Sequence, residues 1–494
     1  FQAEDGIRDI HCSLVGSEMC IRDRLRAGAH RAGDVHELTG PCPYWRSIVV
    51  NDYTEVDRGF ARDPGRLPDI AARIADKSLS PVDLVEQYLS RIAAAEPSVQ
   101  AWRELDGERA LSIARERAEE AQRGLIRGPL HGVPIGVKDI IDVEGLPTRC
   151  NSKSREMVPP ATADAEIVLQ LKVQGAIVLG KLHTTEFAFF DPSPARNPWN
   201  TEHTPGGSSS GSGAAVAAGM VPLALGTQTT ASLNRPAAYC GIAAFKPSTR
   251  SIPGFGVAPL AASYDTVGFY GGRVADAVFA FRAVQPAFMR RGAIHPDAAT
   301  EIVLLDDPLL DDAGHDSRAA WQTMADRIQA TGTKVIRKAS PVAFEDVRKL
   351  HWQTQIFEMA QSQRGLLDLA PGQVGGRLLE TLNEGLEISQ SHYLDMRREL
   401  DQLRAAFIDA CRPGEMFLWP ATPATAPRGL ESTGDPRYIA PWTALGGPMV
   451  TIPAGRSDNG LPLGCILCSL PGQDAELAVT SVQLAERCED SPFA

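Results

Sequence analysis

No apolar run in this sequence is long enough to cross a bilayer. A spanning helix needs about 20 apolar residues. The run Ala214–Leu225 stops short of that and contains Pro222, so no membrane span is expected. A basic excess is also lacking. The 49 Lys and Arg are outnumbered by 61 Asp and Glu, for a net charge of −12. Nucleic-acid binding needs a basic patch, so no nucleic-acid partner is expected. Cysteine is sparse. Nine in 494 residues do not make a disulfide scaffold, and a reducing cytoplasm is the expected setting. Cys465 and Cys468, in "CILC", fall at i and i+3, which on a strand face opposite sides. No second Cys pair or His cluster lies nearby, so they read as core thiols and no metal is expected.

What is present is ordinary for a globular enzyme-sized chain: 43% hydrophobic and 22% charged residues. The first residues are unusual. "FQAEDGIRDIHCSLVGSEMCIRDR" begins with Phe1, repeats "IRD" and has no helical or strand period. It lacks the basic start and apolar stretch of a signal peptide. Phe1–Arg24 resembles translated sequencing-adapter text, and 1–63 as a whole reads as non-native or disordered. Regular structure is expected from near Pro68.

"SLSPVDLVEQYLSRIAAAE" offers Ser80 as N-cap and Pro81 at the first helical position. Val82, Val85, Tyr88, Leu89 and Ile92 then form one apolar stripe. Asp106 can cap a second helix. "VPIGVKDII" is short, β-branched and bounded by glycines, so it reads as a buried strand. "AIVLGK" is another. Glu301–Ala339 reads as strand, helix, strand, which favours parallel pairing. Helical patterns fill Asp346–Cys411, and the tail returns to strands in "EMFLWPAT", "PMVTIPAG" and "LGCILCSL" before a last helix from Asp474. Strands alternating with helices indicate an α/β fold.

The stretch "TPGGSSSGSG", Thr204–Gly213, looks like a linker but runs into the apolar "AAVAAGMVPLALG". Buried Gly and Ser need a reason, because glycine is costly to order. Gly207–Gly211 fits the G-x-S-x-G pattern of a nucleophile elbow, with Ser209 as nucleophile. That elbow needs a strand directly before it, and a proline-broken loop stands there instead. A phosphate loop would need the Walker lysine or the strand of a dinucleotide motif, and both are missing. A fourth reading explains more. Ser232 lies in a second small-residue loop, and Lys138 interrupts an apolar strand. Burial lowers a lysine's pKa and lets it act as a base. One buried lysine and two serine loops make a Ser–Ser–Lys relay. His131, His183 and His203 lie near these motifs and read as structural or substrate-facing. Asp265 and Arg235 read as loop-fixing hydrogen-bond partners.

At this point the chain resembles the amidase signature family of serine hydrolases. "HGVPIGVKD", "TPGGSSSGS", "GTQT" followed by Ser232 and "RPAAYCG", and "FKPS" match its motifs in order, with Ser208 placed 24 residues before Ser232. "ATPATAP" and "GLPLG" in the tail also resemble it. The resemblance implies one catalytic domain over 64–494, with a mixed, twisted central β-sheet sandwiched between α-helices, commonly dimeric. It implies Ser232 as acyl nucleophile, Ser208 on a cis peptide as proton relay, and Lys138 as general base. Backbone N–H groups from Thr229, Thr230, Ala231 and Ser232 would form the oxyanion hole. No metal or cofactor is implied. The implied reaction is hydrolysis of a small-molecule carboxylic amide through an acyl-enzyme. Two alternatives remain: the glutaminase-like component of a tRNA-dependent amidotransferase, and a catalytically impaired amidase-fold binding protein. The latter is motivated by Ala231, where the family usually has glycine. Thr433–Pro436 is expected to border the substrate pocket.

Overall fold

Hydrophobic patterning of period two, and short runs with no period at all, generate most of a single large sheet. The computed structural model describes residues 59–285 and 301–488, so Phe1–Arg24 lies outside the described residues. The described residues fall in one unit, Tyr53–Ala494. The strands are β1 (Trp102–Leu105), β2 (Pro134–Lys138), β3 (Ile177–Leu182), β4 (Leu223–Gln228), β5 (Ala243–Lys246), β6 (Thr266–Gly271), β7 (Glu301–Asp306), β8 (Val335–Ala339), β9 (Glu415–Pro420), β10 (Met449–Arg456) and β11 (Pro462–Cys468). They form one 11-stranded sheet in the order β1-β3-β2-β4-β6-β5-β10-β11-β9-β7-β8.

The sheet is mixed. β3, β2 and β4 pair in parallel, as do β9, β7 and β8. The strands between them pair antiparallel. Every residue of β2, β3, β4, β6, β9 and β11 is buried. Burial of successive residues means both faces are covered, here by thirteen helices among the described residues. The fold is α/β, as expected.

Local signals explain several boundaries. Helix Pro81–Val99 starts at Ser80, whose hydroxyl accepts from Val82 N, and buries Val85, Tyr88 and Ile92. Helix Gly107–Gln122 is capped by Asp106. β7 and β8 are parallel and joined by helix His315–Ala330, the expected strand, helix, strand unit. Two expectations change. β2 ends at Lys138 instead of running through Ile141, because Ile140 N and Ile141 N both turn back to Lys138 O. The lysine therefore sits at a strand's C-terminal end and not in its middle. Residues Phe60–Asp63, assigned from sequence to the N-terminal segment, are joined to the fold. Phe60 N donates to Pro198 O, Arg62 N to Ala217 O, and Arg273 pairs with Asp63 at 2.5 Å. Cys465 and Cys468 lie on β11 as free, buried thiols.

Candidate active site

Three chain segments bring the expected residues together at the ends of neighbouring strands. β2 and β4 pair in parallel, so Lys138 at the end of one strand meets Thr227 near the end of the other. Lys138 is fully buried. Its Nζ donates to Ser208 Oγ at 2.8 Å and to Thr227 Oγ1 at 2.7 Å. Burial pushes its pKa down to about 7, against an opposing pull from Asp265. Lys138 makes no ion pair among the described residues. Its neighbour Asp139 pairs instead with Lys181 at 3.0 Å, both buried.

Ser208 belongs to the stretch that resembled a linker. It is 2% exposed, and the Gly207–Ser208 peptide is cis. Glycine is needed where this segment passes close to others. A β-carbon on Gly207 would lie 2.5 Å from the Thr433 methyl, and one on Gly211 would lie 2.5 Å from His183 N. The following helix, Ser210–Ala217, is entirely buried. Arg235 holds the loop from the other side. Its guanidinium donates to Gly207 O at 2.8 Å, to Thr433 Oγ1 at 2.9 Å and to Gly434 O. Thr433 thus lies against the Gly207 side of this loop.

The two serine loops join through Ser209, whose N–H donates to Ser232 O at 3.3 Å. Ser209 Oγ donates to Thr227 O. That hydroxyl serves β4, as a structural partner would. Ser232 is 8% exposed. Around it the peptide groups are sorted. Thr229 O accepts from His351 Nε2 at 3.0 Å, Thr230 O from Thr443 Oγ1 at 2.6 Å, Ala231 O from Arg235 N at 3.0 Å, and Ser232 O from Tyr270 Oη at 3.3 Å. The carbonyls of Thr229–Ser232 are all engaged. Their N–H groups donate to no protein acceptor among the described residues. Buried N–H groups are normally paired, so a run of them left free suits a segment that receives an oxygen from elsewhere. Ala231 is fully buried and is not among the residues with positive φ. Alanine is therefore comfortable where the family usually has glycine.

Asp265 is the loop-fixing residue expected. Its carboxylate accepts from Thr229 Oγ1 at 2.5 Å, Leu260 N at 2.8 Å and Ala261 N at 3.1 Å, and burial raises its pKa to about 6. The three histidines divide. His131 bonds to Arg127 N and Arg117 O and is structural. His203 bonds to Ala426 O. His183 is pushed down to about 4, mainly by burial, and its Nδ1 has no partner. Sequence reasoning missed Thr227, Tyr270, His351, Thr443 and Gln228. Gln228 Oε1 accepts from Leu233 N and Asn234 N just after the serine. Thr227 and Gln228 stood inside the motif, and no pattern marked their side-chain roles. The others come from distant segments.

A buried amine whose pKa is pushed down to about 7, held against a hydroxyl and beside N–H groups with no protein acceptor among the described residues, has the chemistry to move a proton and to receive an anionic oxygen. The chain belongs to the amidase family: the family model described as Amidase matches residues 83–478. It is 30% identical over 474 residues to the A-type subunit of the glutamyl-tRNA(Gln) amidotransferase from Anaeromyxobacter sp. (strain K), covering 83% of this chain and 94% of that protein. A protein of the same name from Roseiflexus castenholzii (strain DSM 13941 / HLO8) is 42% identical over 221 residues. That match spans 43% of this chain and less than half, 44%, of the Roseiflexus protein. A crystal structure described as an amidase superposes with a TM-score of 0.78 at 28% identity, covering 86% of this chain and 100% of the other. Among the described residues no helix is long and apolar enough to cross a membrane.

Proposed function

We propose that the chain hydrolyses a carboxylic amide through an acyl-enzyme, with Ser232 as nucleophile, Ser208 as relay and Lys138 as base. The observation that carries this reading is the 2.8 Å bond from a fully buried Lys138 to Ser208 Oγ. A lysine held near neutrality by burial is a base at physiological pH. Ser232 Oγ attacks the carbonyl carbon. Its proton passes to Ser208, whose own proton passes to Lys138. The carbonyl oxygen becomes anionic on the N–H groups of Thr229–Ser232. The C–N bond breaks as the nitrogen takes a proton back along the same relay, and the amine leaves. Water then adds to the acyl-serine carbon by the same proton path, releasing the carboxylic acid and free Ser232. We place this reaction in the cytoplasm, a reading supported by six free cysteines among the described residues.

A second reading is specific as to substrate. Similarity over 474 residues to a component of a glutamyl-tRNA(Gln) amidotransferase supports glutamine as the amide, with the ammonia used by partner subunits. The impaired-protein alternative loses its motive, since Ala231 needs no left-handed backbone. One assay separates the readings. Ammonia or amine release from an amide panel by the isolated chain supports free-standing hydrolysis. Release from glutamine only with partner subunits supports the second. No turnover with retained ligand binding rejects both.

A further inference from the structure

Two cavities reach the segment Thr229–Ser232, one at Thr229 and the other at Thr230, and the second carries more charged side chains than the first. One, of about 430 Å³, is lined by Thr227 and Thr229 together with Ile140, Ile252, Val257 and Leu260. Its ionisable residues are Asp265, already committed to three donors, and Arg250, which is exposed. The other, of about 390 Å³, touches Thr230 and is lined by Glu345, Arg348, Asp435 and Arg437. Both volumes fall in the range of small-molecule sites, about 300–1,000 Å³.

An amide carbonyl carries its acyl and amine parts on opposite sides. With the carbonyl oxygen on the N–H groups of Thr229–Ser232, the two parts extend in opposite directions. The nitrogen must face the proton source, which is Ser208 backed by Lys138. Thr227, which accepts from Lys138 Nζ, also lines the apolar cavity. We propose that this cavity receives the amine side of the substrate, so that the chain acts on N-alkyl or N-aryl amides whose amine part is apolar and uncharged. The inference rests on the amide-hydrolase reading and narrows its substrate class. Buried apolar walls reward an apolar substituent. A bare ammonia leaving group would leave the cavity without use.

The test compares matched amides: acetamide with N-benzylacetamide, and glutamine with its γ-N-benzyl derivative. Benzylamine and ammonia have similar basicity, so the comparison reads binding and not leaving-group chemistry. The benzyl compound of at least one pair should show kcat/KM about ten-fold or more above its primary amide. Ala258→Phe, which reaches into the cavity from its lining, should remove that advantage, slowing the benzyl compound much more than its primary amide. Ala262→Phe at the exposed edge serves if the first variant melts early. Turnover of primary amides without a benzyl gain would overturn this inference and leave amide hydrolysis standing, as would equal slowing of both substrates in a stably folded variant. Turnover of neither pair by the isolated chain would overturn free-standing amide hydrolysis and this inference with it.

Discussion

Lys138 is fully buried, and burial takes it far from the ordinary range of a lysine. Only its neutral form can accept a proton, so activity should rise with pH through an acid limb near pH 7, the value to which burial pushes it. A pH profile of kcat/KM checks this, and a limb above pH 9 would remove Lys138 as base. Lys138→Arg should not restore activity, because arginine keeps its proton. The same shift has a sign for stability. Below about pH 7 the lysine is protonated folded and unfolded, and the burial penalty is full. Between about 7 and 10.5 only the unfolded chain takes the proton, so stability rises with pH. Lys138→Met should therefore raise Tm most below pH 7 and progressively less toward 10.5. Ser232→Ala should abolish turnover with Tm preserved, and a fluorophosphonate should label Ser232. Labelling of Ser209 would reverse the roles of the two serine loops. Ala231→Gly should leave kcat unchanged and lower stability by about 0.5–1 kcal/mol, since no positive φ is relieved there.

At the scale of elements, the site depends on how closely loops and strand ends approach. The helix Ser210–Ala217 begins against the backbone of Ala101 and His183. Gly211→Ala should cost about 1–3 kcal/mol by overpacking, measured by urea unfolding. A neutral result would mean the strand ends can yield. β2 and β3 are locked at the site by the buried Asp139–Lys181 pair and by Asp139 N donating to Leu182 O at 2.9 Å. Lys181→Met strands a buried carboxylate and should lose about 3–5 kcal/mol. Adding Asp139→Asn should recover part of that loss, whereas an additive double variant would show that the pair does not couple.

At the scale of the whole molecule, deletion of Phe1–Arg24 should leave Tm and activity unchanged, because that segment has no core-forming pattern. A drop of several degrees would show that it packs. The sequence by itself determined the α/β class, the capped helices at Ser80 and Asp106, the parallel unit of β7 and β8, and the buried lysine and Gly/Ser loop that meet as Lys138 and Ser208. These are legible because periodicity, caps and ordered motifs are local. Four strands gave no separate signal: β1, β4, β5 and β6. They are short or glycine-interrupted, and β4 continues the apolar run that follows the buried Gly/Ser stretch. What the tertiary structure alone decided is which groups complete the site. Thr227 became Lys138's second partner only because β2 and β4 pair in parallel. His351 and Thr443, more than 100 residues from the serine loop in sequence, tie down the carbonyls of Thr229 and Thr230. That position 231 needs no left-handed backbone is read only from the angle there. Each of these turns on contacts between segments distant in sequence or on a single φ, and neither leaves a periodic trace in the order of residues.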